Sequence, residues 1–312
     1  ARNTGIRHAA GSLLSYLDSD DLFLPEKLAL LVEALERQPE LGFVAGQAIL
    51  IDENSQPLGE IFEAGLPADT TQLLLGNPLH VGSVLLRREW QERVGFFDET
   101  LRSYEDWDMW LRLARAGCRM GWVARPVSLY RFHRAQMTRN GDQMTTATFA
   151  VLEKTFNEPA LPESWQTLRD QAYSRAYLRA AAQAYNARAF AKAKTYMDEA
   201  VRLYPELSAD GAACLADLVA GWANYAKTSD PLAFLEGIYD NLPESLSGLR
   251  QRRRHELARQ ALQMAFAAHQ QGDSAAARAA IWRACQYQPG VLTNRGALSI
   301  LIRSWRGANN KQ

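Results

Sequence analysis

Apolar and polar positions alternate along this chain in short blocks that read as strands and helices in turn. Residues 12–17, Ser-Leu-Leu-Ser-Tyr-Leu, are apolar at positions 13, 14, 16 and 17 and predict a buried strand. It runs straight into Asp18, Asp20 and Asp21. Residues 1–11 predict a short helix closed by Gly11. After the acids, Pro25 opens a helix to about residue 37, with Leu28, Leu31, Val32 and Leu35 on its apolar face. Leu41 to Ile51 reads as a strand, Asp52 to Leu58 as a turn, and a partner strand follows near Ile61. Thr70 to Leu75 predicts a short helix, Gly82 to Arg87 a strand and Glu89 to Val94 a further turn of helix. Trp107, Trp110, Leu111 and Ala114 then share one helical face, which puts Glu105 and Asp106 at that helix's start. Val127 to Arg134 reads as a strand that ends at His133. Strands alternating with helices predict an α/β domain.

Beyond about residue 150 the pattern becomes wholly helical and richer in Ala, Arg, Gln and Tyr, and Pro159 with Pro162 marks the change. The expected domains are therefore 1–150, α/β, and 151–312, all-α. Ala181, Ala193, Ala200 and Pro205 recur at one constant offset as Ala265, Ala277, Ala284 and Pro289. Small residues at those steps let two antiparallel helices pack closely, and the spacing resembles the tetratricopeptide helix pair. Gly272 and Asp273 supply a turn in the second copy, whereas Arg188 stands where glycine is expected in the first. An unspecific Ala-rich bundle would carry the same pattern. In either form the segment is expected to recognise an acceptor, a protein partner or its own copy.

Composition removes several classes of function. The 312 residues include 35 Lys plus Arg and 35 Asp plus Glu, so no global basic field draws in nucleic acid. Cys118, Cys214 and Cys285 are far apart and lack the spacing of a zinc site or a disulfide framework. A reducing, cytoplasmic setting is expected. Arg250 to Arg254 is the one basic run; it suits either a solvated linker flanked by Glu244 and Glu256 or anionic headgroups at the inner face of a membrane.

Three constellations carry candidate chemistry. Asp18, Asp20 and Asp21 repel one another unless water or a cation intervenes, and a hard divalent ion held by few carboxylates takes its other ligands from substrate phosphates. A solvated acidic turn that caps the next helix is the plainer account. Glu105 and Asp106 sit where the helix dipole favours ionised carboxylate, so one of them can serve as a general base; Ser103 and Asp106 also have the spacing of a capping box. His133 is a candidate metal ligand, with Arg131 and Arg134 placed to meet phosphate.

Taken in order, Ala1-Arg-Asn-Thr-Gly-Ile-Arg-His-Ala-Ala-Gly11, Leu17-Asp-Ser-Asp-Asp21, Val94-Gly-Phe-Phe-Asp-Glu99, Glu105-Asp-Trp-Asp-Met-Trp-Leu-Arg-Leu113 and Tyr130-Arg-Phe-His133 resemble the second half of a family 2 glycosyltransferase domain. The resemblance covers residues 1 to about 140 and implies a partial GT-A fold, Rossmann-like, ahead of the helical domain. It further implies that Asp18 faces the ribose and that Asp20, the second acid of a D-x-D motif, holds Mn²⁺ or Mg²⁺ with His133 completing the shell. Asp106 would be the catalytic base, Glu105 and Trp107 would contact acceptor, and Arg2, Asn3 and Arg131 would border the nucleotide sugar. The implied reaction is a single inverting displacement from a UDP- or GDP-type donor to a hydroxyl of a glycan or glycolipid, as in bacterial surface polysaccharide synthesis. Such domains normally open with further βα units that hold the base, so the chain is expected to be a fragment with little turnover of its own. A non-catalytic helical interaction protein carrying a degenerate transferase remnant is the other reading. The donor sugar, its base and the acceptor are not written in these residues.

Overall fold

The alternating first half folds around one mixed sheet. The computed structural model describes residues 1–62, 65–133, 141–225, 228 and 230–309. Its strands are β1 (Leu13–Ser15), β2 (Leu22–Phe23), β3 (Leu41–Ile51), β4 (Pro57–Phe62), β5 (Val84–Arg87) and β6 (Arg119–Arg131). They lie in the order β1-β5-β3-β6-β2, with β4 on the C-terminal half of β3. β3 and β6 run parallel and the other pairs antiparallel. Helices α1 (Arg2–His8), α2 (Lys27–Arg37), α3 (Arg88–Val94), α4 (Glu105–Arg115), α5 (Gly141–Phe156), α6 (Glu163–Gln166) and α7 (Arg169–Asn186) accompany them.

Successive side chains of a strand face opposite sides of its sheet, and this sets the layers. Phe43, Ala45, Val84 and Leu86 point into a core with Trp107, Trp110, Met109 and Leu113 of α4. Val44 and Leu85 point the other way, against Leu31 and Leu35 of α2. Each fully buried large apolar side chain contributes about 1.5–3 kcal/mol, so α4 is held firmly by its core face and its N-terminus is set in place.

Several expectations shift at their edges. α1 ends at His8 and its chain leaves extended at Ala9, so Gly11 does not close it. β1 is three residues long because its partner β5 offers a register of only three pairs. β6 begins at Arg119, well before Val127. Its first half mixes charge, Gly121 and Pro126 without clean alternation, and the register against β3 shifts beside the Gln47–Pro126 pair, where proline has no N–H to give. The chain divides into units Ala1–Ala176 and Tyr177–Gln312. The first reaches past residue 150 because Val151, Leu152, Phe156, Trp165 and Ala172 are buried in the same core as Trp110.

The second unit holds the rest of α7, then α8 (Phe190–Leu203), α9 (Ala209–Tyr225), α10 (Pro231–Asp240), α11 (Ser247–Gln251), α12 (Arg253–Gln270), α13 (Ser274–Tyr287) and α14 (Arg295–Asn309). The recurring alanines 181, 193, 200, 265, 277 and 284 are all buried. The turns of the two copies match in detail. Ala189 N–H donates to the Ala184 carbonyl at 2.8 Å and Asp273 N–H to Ala268 at 2.9 Å, the six-residue bond of a Schellman turn. Its left-handed residue is Gly272 (φ 80) in one copy and Arg188 (φ 56) in the other. Three arginines of the basic run are bonded within this unit: Arg250 donates to the carbonyls of Leu242 and Pro243, Arg252 pairs with Glu256 and Arg253 with Asp240. Among the described residues no helix is long and apolar enough to cross a membrane. The three cysteines are free thiols.

Candidate functional site

The acid loop starts where β1 stops, and its first aspartate is met from α1. Arg2 donates to Asp18 Oδ1 through Nε at 3.2 Å and Nη2 at 2.6 Å, and its Nη1 donates to Glu105 Oε1. One guanidinium thus joins the acid loop to the first residue of α4. Burial works against the Arg2 charge, but Asp18 and Glu105 outweigh it and raise its pKa further. A cleft of 860 Å³ opens here, lined by Arg2, Tyr16, Asp18, Phe97 and Glu105 among others.

Two residues on, Asp20 Oδ2 lies 3.2 Å from His133 Nε2, and both side chains are partly exposed. Neighbouring donors of an octahedral shell with bonds of about 2.1 Å stand about 3 Å apart, so the separation of this oxygen and nitrogen is compatible with one shared divalent cation. Among the described residues no group of three or more His, Cys, Asp or Glu side chains is placed to hold a metal, so two protein ligands would leave the remaining positions to phosphate and water.

Asp106 lies in the first turn of α4, with its Oδ1 accepting the Trp107 N–H at 2.7 Å and its Oδ2 accepting from Asn77 Nδ2 at 3.1 Å. Burial and the adjacent Glu105 charge push its pKa up to about 6 despite those bonds. A carboxylate so placed is ionised at neutral pH and still holds a proton well, which suits a general base. The capping box is not formed: the N-cap is Tyr104, in a left-handed conformation (φ 61), and Ser103 Oγ accepts from Gln143.

Other expected contacts take different roles. Trp107, expected at the acceptor, is 1% exposed and donates its indole N–H to the Leu73 carbonyl at 2.7 Å, because its helical position falls on the core face. Asn3, expected at the nucleotide sugar, gives its amide to the Phe97 main chain, donating to its carbonyl at 2.8 Å and accepting its N–H at 3.0 Å. Arg131, expected at phosphate, donates to the carbonyls of Asp20, Asp52 and Glu53 and to Ser55 Oγ, tying the acid loop to the β3–β4 turn. Arg134 lies outside the described residues. Sequence reasoning missed Asn77 and His80, which lie in a loop without periodicity, and the buried Lys27. Lys27 Nζ donates to Ser15 Oγ and the Gly82 carbonyl, both at 2.7 Å, and burial pushes its pKa down to about 7.

Comparison with known proteins agrees with the segment that bears these residues. Residues 1–143 match a family model described as glycosyltransferase-like family 2. An uncharacterized glycosyltransferase of Haemophilus influenzae is 25% identical over 150 residues, 47% of this chain and 51% of that protein. The amylovoran biosynthesis glycosyltransferase AmsB of Erwinia amylovora is 28% identical over 156 residues, 46% of this chain and 48% of that protein. This chain thus spans about half the length of these two curated relatives. Among solved structures, the mannosyltransferase PcManGT of Pyrobaculum calidifontis, in complex with GDP-Man and Mn²⁺, aligns with a TM-score of 0.43 at 17% identity, over 80% of this chain and 64% of that one. The similarity to the glycosyltransferase-like family 2 thus lies in residues 1–143, and the helices of the second unit lie outside the matched segment.

Proposed function

We propose that this chain carries the cation and acceptor sides of a glycosyltransferase site, which moves a sugar with inversion from a nucleoside diphosphate donor of UDP or GDP type to a hydroxyl of a glycan or glycolipid. The observation that carries the reading is Arg2, bonded at once to Asp18 and Glu105, which draws the acid loop and the start of α4 to one cleft.

Asp106 takes the proton of the acceptor hydroxyl as that oxygen forms a bond to the anomeric carbon. The bond from that carbon to the donor's diphosphate oxygen breaks, and the nucleoside diphosphate leaves with the electron pair. Asp20 and His133 would hold Mn²⁺ or Mg²⁺, which supplies positive charge against the departing diphosphate. Asp18 offers a carboxylate for ribose hydroxyls once Arg2 turns toward phosphate. Asn77 holds Asp106 in register, and Glu105, beside it at the cleft, accepts a hydrogen bond from the acceptor.

Calorimetric binding of UDP and of GDP, with and without Mn²⁺, tests the reading on this chain and on its Asp20→Ala variant. Binding that needs Mn²⁺ and disappears in the variant is the expected result. Binding indifferent to both the cation and Asp20 would remove the basis for it.

A further inference from the structure

Between the acid loop and the end of β6 lies a buried polar cluster that the reaction above does not use. Asp21 is 5% exposed and His80 8%, while Ser83 and Ser128 are fully buried. Asp21 Oδ2 lies 2.9 Å from His80 Nε2. On the far side of the ring, His80 Nδ1 is 3.3 Å from both Ser83 Oγ and Ser128 Oγ, themselves 2.7 Å apart. The Tyr130 ring covers the imidazole with centroids 4.4 Å apart. Asp, His and Ser in this order resemble a hydrolytic triad, but hydroxyls with no exposure reach no substrate, so the cluster is not a nucleophilic site.

Its position points to another task. Asp21 follows Asp20 in the chain, and its second oxygen, Oδ1, accepts the N–H of Arg131 at 2.8 Å. Arg131 stands two residues before His133, and its Nε donates to the Asp20 carbonyl at 2.7 Å. One carboxylate therefore fastens together the two backbone segments that bear Asp20 and His133, and His80 occupies that carboxylate's other oxygen. A buried carboxylate that loses a partner must be resolvated, and the loop would move to allow it.

We propose that Asp21 and His80 are positioning residues for the cation ligands, setting the separation of Asp20 from His133 before any cation arrives. This rests on the reading that Asp20 and His133 hold a divalent ion. Partners behind metal ligands are commonly worth about 10- to 100-fold in affinity.

The probe is Mn²⁺ itself, titrated onto the purified chain with free ion followed by electron paramagnetic resonance. Asp20→Ala, His80→Gln and His80→Asn are compared with the unaltered chain, each checked for folding by circular dichroism and a urea midpoint. Gln keeps a donor near the Nε2 position that faces Asp21, whereas Asn reaches only as far as Nδ1. Asp20→Ala is expected to abolish binding, His80→Asn to weaken it about 10-fold or more, and His80→Gln to stay within about threefold. A merely structural histidine would make the two variants alike, and equal affinities for them would overturn the proposal. If Asp20→Ala leaves Mn²⁺ binding unchanged, the cation reading itself falls and the proposal with it. Should His80→Asn not fold, the Ser83→Ala, Ser128→Ala double variant releases the ring from its far side. It is expected to weaken Mn²⁺ about threefold, and unchanged affinity there overturns the proposal.

Discussion

Replacing Asp106 by Asn should change stability in a pH-dependent way that only a displaced carboxyl produces. Burial and Glu105 raise the Asp106 pKa from 3.8 to about 6, so the folded chain binds this proton more tightly than the unfolded one. The contribution of the protonated group is present at low pH and is lost as pH rises through about 6. A displacement of about 2 pH units corresponds to about 3 kcal/mol. The unfolded carboxyl is already partly ionised at pH 4, so about 2 kcal/mol is expected between pH 4 and 8. The amide that replaces the carboxyl keeps an acceptor for Trp107 N–H but turns a donor toward Asn77, a cost of about 1 kcal/mol that does not vary with pH. The stability of the Asp106→Asn variant relative to the unaltered chain should therefore rise by about 2 kcal/mol from pH 4 to pH 8. Urea unfolding followed by tryptophan fluorescence at several pH values measures it, since all other titrating groups are common to both chains. A difference that stays flat, or falls with pH, would refute the reasoning and mark Asp106 as an ordinary paired carboxylate. In an active assembly the same change should cost transfer about 10²- to 10⁴-fold, the usual worth of a general base.

Lys27 gives the opposite sign. Burial lowers its pKa from 10.5 to about 7, so the unfolded chain binds more protons above that point. Stability relative to Lys27→Met should rise as pH goes from about 7 to 10, by roughly 3 kcal/mol, read from urea midpoints. Arg188→Gly should stabilise the second unit by about 0.5–1 kcal/mol, because Arg188 holds the left-handed conformation that Gly272 holds in the other copy; a lower melting temperature would count against the repeat. Trp107→Phe keeps most of the buried ring but leaves the Leu73 carbonyl without its indole donor, and about 1–2 kcal/mol should be lost in denaturant titration.

Local pattern determined a good deal of this protein. The 3.6-residue period of Trp107, Trp110, Leu111 and Ala114 was enough to start α4 at Glu105, because a helix with one apolar stripe has one way to face a core. The continuous apolar run of β3 and the alanine spacing of the second unit were legible for the same reason: burial imposes a period on neighbours in sequence. Periods do not tell which distant loops meet. Arg2 reaches Glu105 across 103 positions and Asp21 reaches His80 across 59, and those pairings exist only in the folded chain. The same ignorance explains Trp107, Asn3 and Arg131, whose residue types suit ligands but whose donors tertiary neighbours had already claimed. It explains the first half of β6 as well, a strand by virtue of lying parallel to β3 and not by its own alternation. Residue types and spacing named the chemistry available to the chain. Tertiary structure decided which of those groups remain open to a substrate, because hydrogen bonds are spent in three dimensions and a sequence records only one.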